Sequence, residues 1–230
     1  MLVEVAKRFA GGCVMVYRKT GEDSAAFLGT GFLVDEKGYI LTCAHILNPT
    51  DDLVIAKATT ENGYAKIDLD GRFQASAVRL HQYDPCSDIA LLKFVTQHVV
   101  SVAQILFGSA DEVSIGTSVG YLGYPFGDRL CVVSSMSAVV SAKIIDSNGV
   151  KMIQIDNMCH EGNSGGPLIN LRTGLIIGII SGRLNPFQAA PSVFVGNRPV
   201  GVETNIGYAA AIEHALPLLE SEGLDSKYGK

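Results

Sequence analysis

Residues 160–170, HEGNSGGPLIN, place one serine, Ser164, among three glycines and ahead of an apolar run. A serine hydroxyl is a weak nucleophile near neutral pH unless an adjacent base accepts its proton. Glycine is used where the backbone takes a positive φ or passes close to another group, and ordering it costs conformational entropy. The glycines around Ser164 therefore indicate a sharply turned loop that presents a nucleophile, provided that the chain supplies a histidine and an acid.

Two chain orders of these partners are compatible with a nucleophilic serine. The string at residues 162–166 also fits G-x-S-x-G, and in an α/β hydrolase the acid and then the histidine follow the serine. Only His214 follows Ser164, and too little chain remains there to build a parallel sheet. The order histidine, aspartate, serine has better candidates in this sequence, because His45 ends one apolar run and Asp88 begins another. A carboxylate next to such a run is costly to bury unless it is hydrogen-bonded or paired, and a histidine would meet that need.

The elements that must position these residues are short. Apolar runs of roughly four to eight residues, rich in Val, Ile and Tyr and separated by Gly, Asn, Asp and Pro, predict antiparallel β structure. DEKGY and DSNGV are Gly-containing turns typical of hairpins. Only AAAIEHALPLLESEG has helical periodicity, and Pro217 must kink or restart that helix. The sequence therefore predicts an all-β protein of two comparable halves, joined near residues 101–112.

Composition limits the function classes. The 230 residues are 47% hydrophobic and 18% charged, and the net charge is −5. Lys and Arg are scattered, which predicts no nucleic-acid partner. No stretch reaches the roughly 18 apolar residues of a membrane span, and no uninterrupted signal-peptide core is present, so no membrane partner is predicted. The five cysteines form no CxxC pair and no metal-ligand spacing with histidine, so we predict no metal, no cofactor, and a cytoplasmic or other intracellular location.

Five blocks of sequence carry a resemblance to a known family. In chain order they are GTGFLVDEKGYILTCAHIL, DIALLKF, GYPFG, EGNSGGPLIN, and GLIIGI with NIGYAAAI. Over residues 27–213 the chain resembles the trypsin-like serine peptidases, and most closely their HtrA/Deg branch. The ordered set with suitable gaps is far more specific than any single block. On this sequence, the resemblance implies a protease domain without the PDZ domain that often follows it in the family.

The resemblance implies a chymotrypsin-like fold of two perpendicular six-stranded antiparallel β-barrels with a short C-terminal helix. Residues 1–105 would form the first barrel, which carries His45 and Asp88. Residues 106–230 would form the second barrel, which carries Ser164, and the C-terminal helix is expected to pack on this second barrel. The joint inferred from the apolar runs falls where the family would place it.

The resemblance also implies the catalytic roles. Ser164 is the nucleophile, His45 accepts its proton and later donates it to the leaving amine, and Asp88 fixes the imidazole tautomer. The oxyanion hole would be formed at Gly162, Asn163 and Ser164, where backbone N–H groups converge only if the loop turns sharply. Asn163 stands where digestive relatives carry an aspartate that pairs with a freed N-terminal ammonium. Activity without propeptide cleavage is the resulting expectation.

Substrate specificity is implied less directly. By resemblance, the substrate-binding residues are Met158, His160, Ser181, Gly182 and Arg183. The base of the pocket falls on Met158, and the lack of an acid there predicts a preference for aliphatic side chains over Lys or Arg. The segment 124–127, YPFG, is expected to be turn and core, and residues 183–205 form a long loop that covers the cleft, docks a partner or packs on itself.

The predicted function is that of a serine endopeptidase that hydrolyses peptide bonds in unfolded or flexible polypeptides through an acyl-enzyme. An inactive or conditionally active peptidase-fold binding module is the alternative, and an esterase is a third. The predicted partner is a polypeptide substrate, and the resemblance implies a homo-oligomer, a trimer.

Overall fold

The computed structural model describes residues 1–62, 64–66, 74–96, 105–127, 133–183, 193–195, 198–200 and 205–224. Most of this part of the chain forms strands, and its two α-helices are short. None of the helices within these ranges has the length and apolar character needed to cross a membrane.

The first barrel is closed and antiparallel. Its strands are β1 (Cys13–Lys19), β2 (Ala25–Leu33), β3 (Tyr39–Thr42), β4 (Leu53–Ala56), β7 (Ala75–Asp84) and β8 (Ile89–Phe94), and between β4 and β7 lies a separate hairpin of β5 (Thr59–Glu61) and β6 (Tyr64–Lys66). The order of the strands around the barrel is β1-β2-β3-β8-β7-β4.

The second barrel is also closed, with six antiparallel strands. They are β9 (Ser118–Gly123), β10 (Ser134–Ile145), β11 (Lys151–Ile155), β12 (Pro167–Asn170), β13 (Ile176–Arg183) and β16 (Gly207–Ala211), and a hairpin of β14 (Val193–Val195) and β15 (Arg198–Val200) lies outside the barrel. The order around this barrel is β10-β11-β16-β13-β12-β9. The two barrels confirm the predicted all-β, chymotrypsin-like fold. The domain boundary between residues 105 and 106 stays a prediction.

Strand β8 shows why its apolar run has no polar alternation. Side chains along a strand point alternately to its two faces. Ala90 and Leu92 pack inside the first barrel, whereas Ile89 and Leu91 belong to a core cluster that contains residues of both barrels. Because both faces are buried, the strand is held firmly, and Asp88 immediately before it is fixed at the barrel edge.

The two terminal helices each contact the barrel that is more distant in sequence. Helix α1 (Leu2–Phe9) contacts β9 and β10 of the second barrel. Helix α2 (Leu216–Ser221) starts after a 3₁₀ turn and holds Pro217 in its first turn, where proline is tolerated. The helical segment therefore restarts at Pro217, which is one of the two outcomes predicted for this proline.

The polar contacts of the C-terminal helix differ from the expectation that it packs on the second barrel. Gln82 Nε2 on β7 donates to Ser221 Oγ at 2.6 Å and to Glu222 Oε1 at 2.6 Å. His81 Nε2 lies 2.6 Å from Glu222 Oε2, and Tyr39 Oη donates to the same oxygen at 3.1 Å. The helix leaves the second barrel after β16 and attaches to the first barrel, so it links the two.

Candidate active site

The sheet register brings His45 and Asp88 together. Strands β3 and β8 pair with Thr42 opposite Ala90, so the chain leaving β3 passes the residue that precedes β8. The His45 backbone N–H donates to Asp88 Oδ1 at 2.8 Å, and His45 Nδ1 lies 2.9 Å from Oδ1 and 2.8 Å from Oδ2. The backbone of Asp88 is held at φ +57°, a strained value for a residue other than glycine.

Asp88 is held as a carboxylate by its donors. Burial raises the pKa of this group, but hydrogen bonds from His45 and from the Ser181 hydroxyl outweigh it, so the pKa lies below its ordinary value. Ser181 Oγ donates to Oδ2 at 2.5 Å. A carboxylate only accepts hydrogen bonds, so the hydrogen of a neutral His45 ring resides on Nδ1. The lone pair of Nε2 is then free to accept a proton.

Ser164 comes from the second barrel, in the loop before β12. Its hydroxyl donates to the Ser181 backbone carbonyl at 3.1 Å. Among the described residues, no hydrogen bond joins this hydroxyl to His45, but both residues line the same cleft of about 610 Å³. Rotation of χ1 from one staggered well to another would redirect the hydroxyl.

Two glycines of the loop are required by close backbone approaches. Gly162 has φ +93° and Gly165 has φ +92°. A Cβ on Gly162 would clash with the Tyr124 carbonyl oxygen, and one on Gly165 would clash with the Thr30 carbonyl oxygen. Both positive φ and lack of space therefore select glycine on either side of the serine.

The backbone N–H groups of the loop differ in their availability. The Asn163 N–H donates to the His160 carbonyl at 3.1 Å, so this N–H is not free for a substrate. The Glu161 carbonyl accepts from the Phe126 N–H at 2.8 Å, and planarity of the peptide directs the Gly162 N–H the opposite way. No protein acceptor among the described residues is bonded to the N–H of Gly162 or Ser164. Of the three predicted oxyanion-hole residues, these two have unused donors.

The Asn163 side chain lies beneath the turn and is fully buried. Its Oδ1 atom has no hydrogen-bond partner in the described part of the chain. Its Nδ2 atom makes one long contact, 3.9 Å, to Met136 Sδ. Such a site accepts a neutral amide but offers nothing to compensate a charge.

A buried thiol lies behind the histidine and the aspartate. Ligand atoms of Cys43, His45 and Asp88 lie within 4.8 Å of one another, the one such cluster among the described residues. Burial raises the pKa of Cys43 well above its usual range, and the Asp88 charge raises it further. Its Sγ donates to the Ile180 carbonyl at 3.1 Å. Metal coordination requires a thiolate, so the surroundings of Cys43 disfavour it, and the absence of a metal or cofactor stays a prediction.

The cleft beside Ser164 and His45 combines apolar walls with one acidic residue. Besides His45 and Ser164, its lining consists of Ala26, Phe27, Leu28, Ile46, Phe126, Glu161 and Gly162. Phe126 was expected to be turn and core, but it is 44% exposed and has φ +59°. Tyr124, in the same segment, is buried as expected. The available signal in the sequence was an aromatic residue between Pro125 and Gly127, in a segment predicted to turn.

None of the predicted substrate-binding residues is in the described lining of this cleft, but His160 and Ser181 contact residues that are, and their role stays a prediction. His160 packs against Phe126, with ring centroids 5.1 Å apart, and the Met158 carbonyl accepts from Tyr121 Oη at 3.1 Å. Ser181 supports Asp88 and Ser164, as described above. A Cβ on Gly182 would stand in open space. The backbone of Arg183 pairs with Gly207. The Arg183 side chain and the parts of the predicted loop at 184–192, 196–197 and 201–204 lie outside the described residues.

His45, which is hydrogen-bonded to Asp88 of the same barrel, shares one cleft with a serine of the other barrel, and this is the arrangement of a serine peptidase of the trypsin fold. A family model described as a trypsin-like peptidase domain matches residues 29–179. The chain belongs to this family. Among the relatives is a protein named probable periplasmic serine endoprotease DegP-like from Ectopseudomonas mendocina (strain ymp), 32% identical over 157 residues. This match covers 68% of the chain and 30% of the relative.

Further matches are consistent with this membership. A relative of the same name from Hahella chejuensis (strain KCTC 2396) is 32% identical over 165 residues, covering 72% of this chain and 32% of the relative. The solved structure of HtrA-type protease AlgWS227A with tripeptide has a TM-score of 0.68 and 22% identity, covering 96% of this chain and 63% of that one. This likeness supports the fold. The resemblance to HtrA/Deg-like serine peptidases is confirmed, and the chain spans roughly 30% of the length of these curated relatives.

The expected cytoplasmic or other intracellular location is wrong. The relatives that contradict it are named periplasmic endoproteases. The expectation depended on features that the sequence lacks, and the lack of a feature does not specify a compartment.

Proposed function

We propose that this chain is a serine endopeptidase domain that hydrolyses peptide bonds in unfolded or flexible polypeptides through an acyl-enzyme. The main support is that His45, hydrogen-bonded to Asp88 at 2.8 Å, shares one cleft with Ser164 from the other barrel. Further support comes from the N–H groups of Gly162 and Ser164 beside the hydroxyl, to which no acceptor in the described part of the chain is bonded.

The proposed reaction begins when the Ser164 hydroxyl rotates from the Ser181 carbonyl toward Nε2 of His45. Nε2 takes the proton as Oγ attacks the substrate carbonyl carbon, and Asp88 stabilises the resulting imidazolium. The N–H groups of Gly162 and Ser164 stabilise the oxyanion, and one such donor contributes about 3 kcal/mol to lowering the barrier. His45 then protonates the leaving amine. In the second half, His45 takes a proton from the water that attacks the acyl-enzyme and returns it to Ser164 Oγ as the acid product leaves.

The shape of the cleft supports a polypeptide substrate. Apolar walls from Phe27, Ile46 and Phe126 fit apolar side chains next to the scissile bond, whereas Glu161 disfavours acidic ones. An extended polypeptide segment can enter such an open cleft. The HtrA-type structure similar to this one was solved with a tripeptide. The preference for aliphatic over basic residues and the trimer stay predictions.

A fluorophosphonate probe tests the proposal directly, because it reacts only with an activated serine. We expect labelling of the wild-type chain and its loss in Ser164→Ala and in His45→Ala. Hydrolysis of denatured casein should fall in the same variants by a factor on the order of 10⁶. Ser114→Ala, which removes an exposed serine outside the cleft, is the control and should keep both activities.

The same assays separate the alternative functions. Folded wild-type protein that resists the probe under all conditions would indicate a binding module and overturn the proposal. Labelling with hydrolysis of p-nitrophenyl acetate but not of casein would indicate an esterase. Labelling that persists in Ser164→Ala would show that another residue is the nucleophile.

A further inference from the structure

Thr30 on β2 is a fully buried polar residue that the sequence did not single out. It belongs to the first barrel, yet its polar atoms contact the serine loop of the second barrel. Its backbone N–H donates to the Ser164 carbonyl at 2.8 Å. Its hydroxyl donates to the Gly162 carbonyl at 2.6 Å and accepts from the Tyr124 N–H at 2.9 Å.

The direction of these hydroxyl bonds is fixed by chemistry. A carbonyl only accepts and a backbone N–H only donates, so the single hydroxyl hydrogen of Thr30 must point to Gly162. The carbonyls that Thr30 holds belong to Gly162 and Ser164, the two residues whose N–H groups are unused. Thr30 therefore holds the two peptide groups that directly follow the residues carrying the proposed oxyanion-hole donors.

The Gly162 peptide groups depend on such constraints because glycine has no Cβ to restrict them. Its preceding peptide is held where the Phe126 N–H bonds the Glu161 carbonyl. Its following peptide is held at both ends, by Thr30 at the Gly162 carbonyl and by the His160 carbonyl at the Asn163 N–H. Without the Thr30 hydroxyl, the partly buried Gly162 carbonyl and the Tyr124 N–H lose this partner, and the peptide that follows Gly162 keeps only its bond to the His160 carbonyl among the described residues, so the cost of rotating it falls.

We propose that Thr30 is a positioning residue for the oxyanion hole, whose hydroxyl fixes the peptide that follows Gly162 and so keeps the loop in the shape that presents the Gly162 N–H to the substrate. This inference rests on the proposed function and extends it to a residue that does not touch the substrate. It predicts that the hydroxyl of residue 30, rather than its methyl group, determines the rate of acylation.

The test compares Thr30→Val, which keeps the shape and removes the hydroxyl, with Thr30→Ser, which keeps the hydroxyl and removes the methyl group. With p-nitrophenyl acetate as substrate, we expect kcat of Thr30→Val to fall by a factor of about 10 to 100 at unchanged KM. Thr30→Ser should stay within about threefold of wild type. Urea unfolding of both variants shows that the comparison is made on folded protein.

A role in packing alone would give a different pattern. In that case Thr30→Ser would lose as much activity as Thr30→Val, or Thr30→Val would keep wild-type kcat, and either result overturns the inference. The backbone amide resonances of ¹⁵N-labelled protein give a readout that needs no turnover. The Gly162 resonance should move in Thr30→Val and remain in place in Thr30→Ser.

These two readouts separate the inference from the function. Wild-type protein that neither labels with a fluorophosphonate nor hydrolyses the ester would contradict the proposed function, and the Gly162 resonance would still decide the role of Thr30. A resonance that is unmoved in Thr30→Val would overturn the positioning role even in an active enzyme.

Discussion

The buried amide of Asn163 makes the substitution Asn163→Asp a sharp test of the electrostatics beneath the serine loop. The two side chains have nearly the same shape, so the change introduces a charge with little change in packing. The site is fully buried, and Oδ1 has no hydrogen-bond partner among the described residues. A carboxylate placed there would be uncompensated, which is among the most destabilising changes in a protein core.

The magnitude follows from the linkage between protonation and folding. Full burial raises the pKa of a carboxyl group by about 3 to 5, from about 3.9 in the unfolded chain. A raised pKa means that the folded state holds its proton more tightly, so stability is lost as pH rises above the unfolded pKa. The free energy of unfolding should therefore fall relative to wild type by about 4 kcal/mol at pH 7, and by almost nothing at pH 3.

Urea unfolding at a series of pH values, with wild type beside the variant, measures this difference. Asn148→Asp is the matched control, because it makes the same change at an exposed turn position and should shift stability by less than about 0.5 kcal/mol. Besides taking up a proton, the new carboxyl group can be relieved of burial if the loop turns outward into water. Fluorophosphonate labelling at Ser164 would then fall, because Gly162 and Ser164 would move with it.

One result would refute this reasoning. If Asn163→Asp unfolds at the wild-type urea concentration at pH 7 and labels at the wild-type rate, then the side chain at residue 163 is solvated or faces a cation. The description of Asn163 as a neutral residue in a closed site would be incorrect.

Two further predictions concern a thiol and the C-terminal helix. In native protein at pH 8, iodoacetamide should alkylate the exposed Cys86 but not the buried Cys43, because burial and the Asp88 charge raise the pKa of the Cys43 thiol. Mass spectrometry that finds Cys43 modified before unfolding would contradict this. Hydrogen bonds from His81 and then Gln82 lower the pKa of Glu222, so this carboxylate stabilises the fold above its unfolded pKa and loses that effect as pH falls through its folded pKa. Glu222→Gln should be less stable than wild type at pH 7 and equal to it in strong acid, and a difference in urea midpoint that is the same at both pH values would argue against a stabilising role of the Glu222 charge.

The order and chemistry of the sequence blocks were sufficient to predict the two barrels and the meeting of His45 with Asp88. Turn residues and short apolar runs report burial and chain reversal locally, so strands can be read from them. The sharp turn of the loop at Gly162 and Gly165 was predictable for the same reason, because glycine is the residue that tolerates a positive φ and a close backbone approach. The catalytic roles of His45, Asp88 and Ser164 stay proposals, and their proximity is what the fold contributes to them.

Other features depended on contacts between residues far apart in the chain, and no local pattern encodes these. The Thr30 hydroxyl meets the Gly162 carbonyl across 132 positions, and the Ser181 hydroxyl meets Asp88 across 93. Phe126 became a wall of the cleft, and α2 attached to the first barrel, because of how the closed barrels pack against each other. The sequence alone determined which groups can do chemistry and which segments are strands. Tertiary structure decided which backbone donors remain free and which residues hold them, because barrel closure and strand register bring distant segments within hydrogen-bonding distance.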